Sequence, residues 1–214
     1  MLKLLRPTLA CATLAVFLAS GAQAALISSL YGTGLTSAGT PQVAGGLDAH
    51  YVVVENGNQA AVVISTLPGT YFANDAQSQW VWQAGNGLPI NVTRRFLTTF
   101  DLTGFDETTA VINGLWGTDN QGLDILINGV STGNNLLGVV TSNFSQLHSF
   151  AISSGFGVGV NTLEFIIQDN GGVSAFRAQL TGDARAQGVP EPGTLAIVAL
   201  GLLAAGASRL RKAA

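Results

Sequence analysis

Between Ala25 and Gly188 the apolar residues come in short runs of alternating parity, broken by Gly, Asn or Asp, and no stretch keeps a helical period. A strand turns successive side chains to opposite faces, whereas a helix repeats every 3.6 residues, so this patterning confines the chain to strands. "HYVVVE" runs into "NGN" and then "AAVVIS", the mark of a hairpin. Val92, Phe96, Phe100 and Leu102 share one parity, with Arg95, Thr99 and Asp101 opposite. "LDILING" closes on the turn pair Asn128-Gly129. In "NTLEFIIQD", Leu163, Phe165 and Ile167 are expected inward and Glu164 and Gln168 outward, before the turn "DNGG". "SAFRAQL" repeats the scheme, with Phe176, Ala178 and Leu180 inside and Arg177 and Gln179 outside. At least eight such strands without intervening helices predict an all-β, antiparallel β-sandwich.

The ends of the chain differ from this body. "MLKLLRPTLACATLAVFLASGAQA" has basic Lys3 and Arg6, an apolar run from Leu9 to Ala19, and the small-residue triplet Ala22-Gln23-Ala24. That order is a secretory signal peptide, cut after Ala24, with Ala22 and Ala24 as the small residues that signal peptidase reads. Cys11 is the only cysteine and leaves with it, so thiol catalysis and thiolate metal sites are excluded from the mature protein. From Ala25 to Ala186 the chain has no lysine and carries four arginines against eleven acids, a net charge of −7. Such a surface repels phosphate backbones and excludes a nucleic-acid partner.

Chemistry is sparse in the middle. Gly129-Val-Ser-Thr-Gly133 fits the nucleophile-elbow pattern, but the segment after it reads as loop and strand rather than the helix the elbow needs. Its partners also run Ser131, His148, Asp169, placing the histidine before the acid, and a hairpin turn explains the match. No enzyme is therefore expected. Trp80, Trp82 and Trp116 are the candidate ligand-binding residues: Trp80 and Trp82 share a parity, and indole faces stack on sugars, although such residues also build sandwich cores. Asp119, Asn120 and Asp124 gather oxygen ligands around Gly122, with Asp169 and Asn170 in a second loop, the donor type that suits structural calcium. The same Asp-Asn-Gly chemistry also caps ordinary turns. No other cofactor is expected.

The tail has three parts. Val189-Pro190-Glu191-Pro192-Gly193 can enter neither helix nor ladder, because its prolines lack donors and push their neighbours to extended forms. Thr194 to Ala207 is uncharged, and at ~1.5 Å per residue a helix there reaches only ~21 Å, short of the ~30 Å hydrocarbon core. Arg209, Arg211 and Lys212 then supply a cytoplasmic stop. A single short transmembrane helix with a basic end suits a temporary anchor.

This layout resembles the PEP-CTERM sorting signal. The resemblance implies export through the Sec translocon of a Gram-negative bacterium that makes exopolysaccharide, followed by recognition of Pro190, Glu191 and Pro192 by a membrane-embedded exosortase that removes the anchor. The body segments "DAHYVVV", "SQWVW", "GLWGTDNQGLDILINGVSTG" and "NTLEFIIQDNGGVSAFRAQLTG" resemble a jelly-roll sandwich of the galactose-binding type common among such proteins. The expected layout is a signal peptide over 1–24, a lead-in over 25–47, a jelly-roll-like sandwich over 48–183, a linker over 184–189 and the sorting signal over 190–212. The expected function is that of an exported, non-enzymatic adhesive or structural protein. It is held briefly at the inner membrane and then placed on the cell surface, in the extracellular polysaccharide matrix of a biofilm, or in the medium. The alternative is a lectin-like carbohydrate-binding module with structural calcium, and a remote one is a secreted serine hydrolase using Ser131, His148 and Asp169.

Overall fold

The computed structural model describes residues 23–187 and 201–202. The described residues form eleven strands: β1 (Ala24–Leu26), β2 (Leu47–Val53), β3 (Gln59–Val63), β4 (Val81–Trp82), β5 (Thr93–Asp101), β6 (Phe105–Asp119), β7 (Gln121–Ile127), β8 (Val130–Ser131), β9 (His148–Ile152), β10 (Val160–Gln168) and β11 (Ala175–Ala186). One six-residue helix, α1 (Val140–Ser145), precedes β9. The expected signal peptide as far as Ala22, and the sorting signal apart from Gly201 and Leu202, lie outside the described residues. Among the described residues no helix is long and apolar enough to cross a membrane.

The strands form one antiparallel ladder in the order β8-β7-β10-β5-β2-β3-β4-β11-β6-β9, with β1 added to β11. The ladder folds over at β3, which pairs with β2 on one side and β4 on the other. Strands far apart in the ladder then meet through their side chains: Phe165 of β10 and Phe176 of β11 have ring centroids 4.8 Å apart, and Phe96 of β5 lies 4.9 Å from Phe176. Trp116 of β6 and Phe150 of β9 both lie 5.9 Å from Phe165. The result is a sandwich with an aromatic interior.

Local chemistry accounts for the elements. Along β10 burial alternates residue by residue, with Leu163, Phe165 and Ile167 inward as expected. Asn128 and Gly129 adopt φ of 50° and 78°, the paired left-handed geometry of a two-residue hairpin turn, and join β7 to β8. Gly122 allows a close approach: a Cβ there would lie 2.3 Å from the Trp116 ring. Two boundaries move. The lead-in belongs to the sandwich, since Ile27 and Leu35 are buried and the Thr33 N–H donates to the Ala178 carbonyl at 2.8 Å. At the other end β11 continues through Ala186, into the expected linker, because its last residues pair with β1 and the start of β6.

Candidate functional site

The outer face of β6 and β11 is divided into a covered half and an open half. Over the covered half passes the connection from β3 to β4. Arg177 has outward parity, yet it is buried there, which corrects the expectation of a solvent-facing side chain. Its Nε donates to Ser78 Oγ at 2.8 Å, Nη1 donates to the Ala73 carbonyl, and the guanidinium lies 5.5 Å from the Phe72 ring centroid. Nη2 is 2.6 Å from Asp75 Oδ2 but off the axis of a hydrogen bond, so that contact is an ion pair.

The tryptophans do not form a stacking platform. Trp80 and Trp82 are 0% exposed and Trp116 is 1% exposed, so none shows a face to a ligand. Trp80 packs edge-on against Tyr71 and donates its indole N–H to the Phe72 carbonyl at 2.7 Å. Gly117 makes room for it, as a Cβ there would lie 2.7 Å from the Trp80 ring. Trp82 packs on Phe96 and donates to the Pro89 carbonyl at 3.0 Å. Both of these indoles have spent their one polar atom internally, and with all three rings enclosed the sugar-stacking role is withdrawn.

The proposed calcium ligands are likewise redistributed. Asp119 is buried, and its Oδ1 accepts from Asn120 Nδ2 at 2.7 Å while Oδ2 meets the Tyr71 hydroxyl. Asn120 Oδ1 accepts the Asn170 N–H at 2.5 Å. Asp124 sits further along the ladder, opposite Ile166, and its carboxylate takes the Ile125 N–H at 2.8 Å. Burial raises the pKa of Asp119 to about 6 against the lowering effect of the Tyr71 hydrogen bond, and the charge of Asp169 adds to the rise. Among the described residues no group of three or more His, Cys, Asp or Glu side chains is placed to hold a metal.

Ser131, His148 and Asp169 are not hydrogen-bonded to one another. Ser131 Oγ accepts the Gly133 N–H at 3.2 Å, the His148 ring contacts the Ser142 carbonyl at 3.1 Å, and Asp169 accepts from Asn91 and Gly171.

The open half of the outer face is invisible to motif reasoning. Two cross-strand rows stand on it: Thr181–Asn113–Ala151 and Gln179–Leu115–Ser149, running across β11, β6 and β9. All six side chains are uncharged, and Leu115 is 38% exposed between amides and hydroxyls. A depression of about 310 Å³ lies over them. The one signal for it in the sequence is the outward parity of Gln179, which by itself indicates only solvent contact.

The remaining candidate residues are in the tail. A family model for the PEP-CTERM protein-sorting motif matches residues 188–212. The chain carries a PEP-CTERM sorting motif. Pro190, Glu191, Pro192, Arg209, Arg211 and Lys212 all fall within the matched span. The PEP-CTERM signal starts two residues after β11 ends, so only a very short link separates it from the sandwich. None of the curated proteins matches the chain. Among solved structures, CBM35 from Paenibacillus barcinonensis is similar at 17% identity and a TM-score of 0.38, over 62% of this chain and 92% of that one. The sandwich assignment stands on the strand pairing and the inter-sheet ring contacts, independently of that likeness.

Proposed function

We propose that this is an exported, non-enzymatic protein of the bacterial envelope or exopolysaccharide matrix, processed by exosortase at its PEP-CTERM signal. Its body, a jelly-roll-like sandwich in this reading, is an adhesive or structural module. The sorting motif over residues 188–212 is the observation that carries the proposal. The acidic, lysine-free body and the uncharged rows on β6, β9 and β11 support contact with a hydrated, neutral polymer rather than with phosphate.

Processing is tested by intact mass and C-terminal peptide mapping of protein from its native host and from an exosortase-deficient strain. The host protein is expected to lack everything beyond the "VPEPG" region, and the deficient strain to retain "TLAIVALGLL". Host protein still ending in "RLRKAA" would instead make this a resident of the inner membrane.

Polymer contact has its own test, retention in affinity electrophoresis through the host's exopolysaccharide. Leu115→Asp puts a charge in the middle of the neutral rows and is expected to weaken retention at least tenfold, about 1.4 kcal/mol. Trp80→Phe is expected to leave retention unchanged, since that ring is enclosed. Equal retention of wild type and Leu115→Asp would remove this face as the contact.

A further inference from the structure

The stretch from Ile125 to Leu163 contains no Asp, Glu, Lys or Arg, although the body around it carries eleven acids against four arginines. It supplies the end of β7, all of β8, α1 and β9, and the start of β10. Both ends of the ladder, β8 and β9, belong to it. They lie on the same side of the sandwich, where Asn134 Nδ2 reaches the Ala151 carbonyl at 3.3 Å. Val130, Leu137 and Val139, in and after β8, are each more than half exposed. Exposed apolar side chains on an uncharged side are the mark of a surface that meets another protein.

The two edges differ. β8 is two residues long, and Gly133, with φ of 74°, turns the chain out of line after it. β9 has five residues, pairs with β6 without a bulge, and has no strand on its other side. The ladder decides where the polar groups of β9 point. Ala178 turns its carbonyl away from β6 to accept the Thr33 N–H at 2.8 Å. Successive residues of an antiparallel strand turn these groups to opposite sides, so Gln179 and Thr181 bond to β6. Their partners Leu115 and Asn113 therefore face β11, and Gly114 and Trp116 bond to Phe150 and His148 of β9. The N–H and C=O groups of Ser149 and Ala151 are left pointing away from the sheet. Soluble proteins blunt such an edge with lysine, proline, a bulge or an inward charge. His148 to Ile152 has none of these, and its outward side chains, Ser149 and Ala151, are small and exposed.

We propose that β9 is the contact of a twofold dimer, in which the β9 strands of two copies of this chain pair antiparallel. Phe150 lies opposite Phe150, and Ser149 of each copy lies opposite Ala151 of the other. Each Ser149–Ala151 pair exchanges two backbone hydrogen bonds, using groups that are otherwise left to water. The occupant is a second copy because bodies of net charge −7 repel one another everywhere except along an uncharged side. A basic partner would be drawn to the acidic surfaces instead. One usable edge per copy closes the assembly at two and does not extend it into a fibre. The contact is small, so the dimer is weak and concentration-dependent. The uncharged rows of both copies then stand on one continuous sheet. Use of that sheet for polymer rests on the function proposed above, whereas the pairing does not.

Sedimentation equilibrium of the processed protein from about 10 μM to about 1 mM tests the dimer. The mean mass is expected to rise toward that of two chains as the concentration increases. Ala151→Pro removes an N–H that β6 does not use, a change that an edge strand tolerates. It is expected to melt with wild type and to stay monomeric over the whole range. Ser149→Lys is expected to weaken association by about tenfold or more. The register is read by crosslinking, since Cys11 is the only native cysteine and lies in the expected signal peptide. An oxidised mixture of Ser149→Cys and Ala151→Cys is expected to give disulfide-linked dimers, because directly paired Cα atoms are about 5.5 Å apart. Either variant alone is expected to give far less, because like residues are then diagonal neighbours. A wild-type mass of one chain at about 1 mM overturns the proposal. So does a dimer that Ala151→Pro leaves intact, or a mixture that does not crosslink.

Discussion

Phe165→Ala is expected to destabilise the sandwich by about 3–5 kcal/mol, a large part of the ~5–15 kcal/mol that holds a typical domain together. Phe165 is fully buried and its ring centroid lies within 6.4 Å of those of Tyr51, Trp116, Phe150 and Phe176. These partners sit on β2, β6, β9 and β11, so the ring is a point where the two halves of the folded ladder touch. The paired strands on either side, β5 and β7, hold the β10 backbone in place along its length. The cavity left by truncation therefore cannot collapse, and the lost transfer energy is joined by lost contacts. No disulfide within the chain can offset this, since Cys11 is the only cysteine. Equilibrium urea unfolding measures the effect: the midpoint should fall while the slope stays constant. A loss below about 1.5 kcal/mol would mean that the halves do not depend on this contact.

Arg177→Ala should cost a similar amount, about 3–5 kcal/mol, by a different route. The guanidinium is enclosed and serves Ser78, the Ala73 carbonyl and Asp75 together. Removing it leaves the part-buried Ala73 carbonyl and the buried Ser78 hydroxyl without their donor and unfastens from β11 the β3–β4 connection to which Tyr71 and Trp80 belong. Arg177→Lys is expected to recover less than half of the loss, because one ammonium cannot reproduce a planar fork aimed at three acceptors. Asp75→Asn takes the counter-charge from the enclosed guanidinium but leaves an amide oxygen beside it, and Asp75 is itself 44% exposed, so it should cost less, about 1–3 kcal/mol. If Arg177→Ala cost less than about 1 kcal/mol, the side chain would be a surface arginine and the covering connection would be held by other contacts. Limited proteolysis provides a second reading, with cleavage between Phe72 and Gln79 expected to appear in Arg177→Ala before global unfolding.

Much of the body is legible because strands announce their faces locally. Parity alone places Phe96, Phe100, Leu163, Phe165, Ile167, Phe176 and Ala178 inside, where all are buried. Asn128-Gly129 identifies its hairpin turn because few residues other than these adopt two positive φ angles in succession. Parity cannot show what covers an outer face. Arg177 and Trp80 mislead for one reason: the β3–β4 connection, to which Trp80 itself belongs, lies against that side of β11 and β6 and encloses both side chains, and nothing in the local pattern around either residue records that contact. The grouping of oxygen donors shifts for a similar reason. Closeness in sequence joins Asp119 to Asp124, whereas the ladder brings Asp169 to Asp119 from the β10–β11 turn.

The strand-and-turn character of the body, the inward parity of its aromatic residues and the PEP-CTERM signal follow from the sequence alone, since each depends on neighbours within one short segment. Which strands pair, which half of the outer face stays open around Leu115, and that Asp119, Tyr71 and Asp169 share one buried space are settled only when the chain has folded. Those outcomes depend on contacts between residues tens of positions apart, where burial sets the energy and local propensity carries no information about the partner.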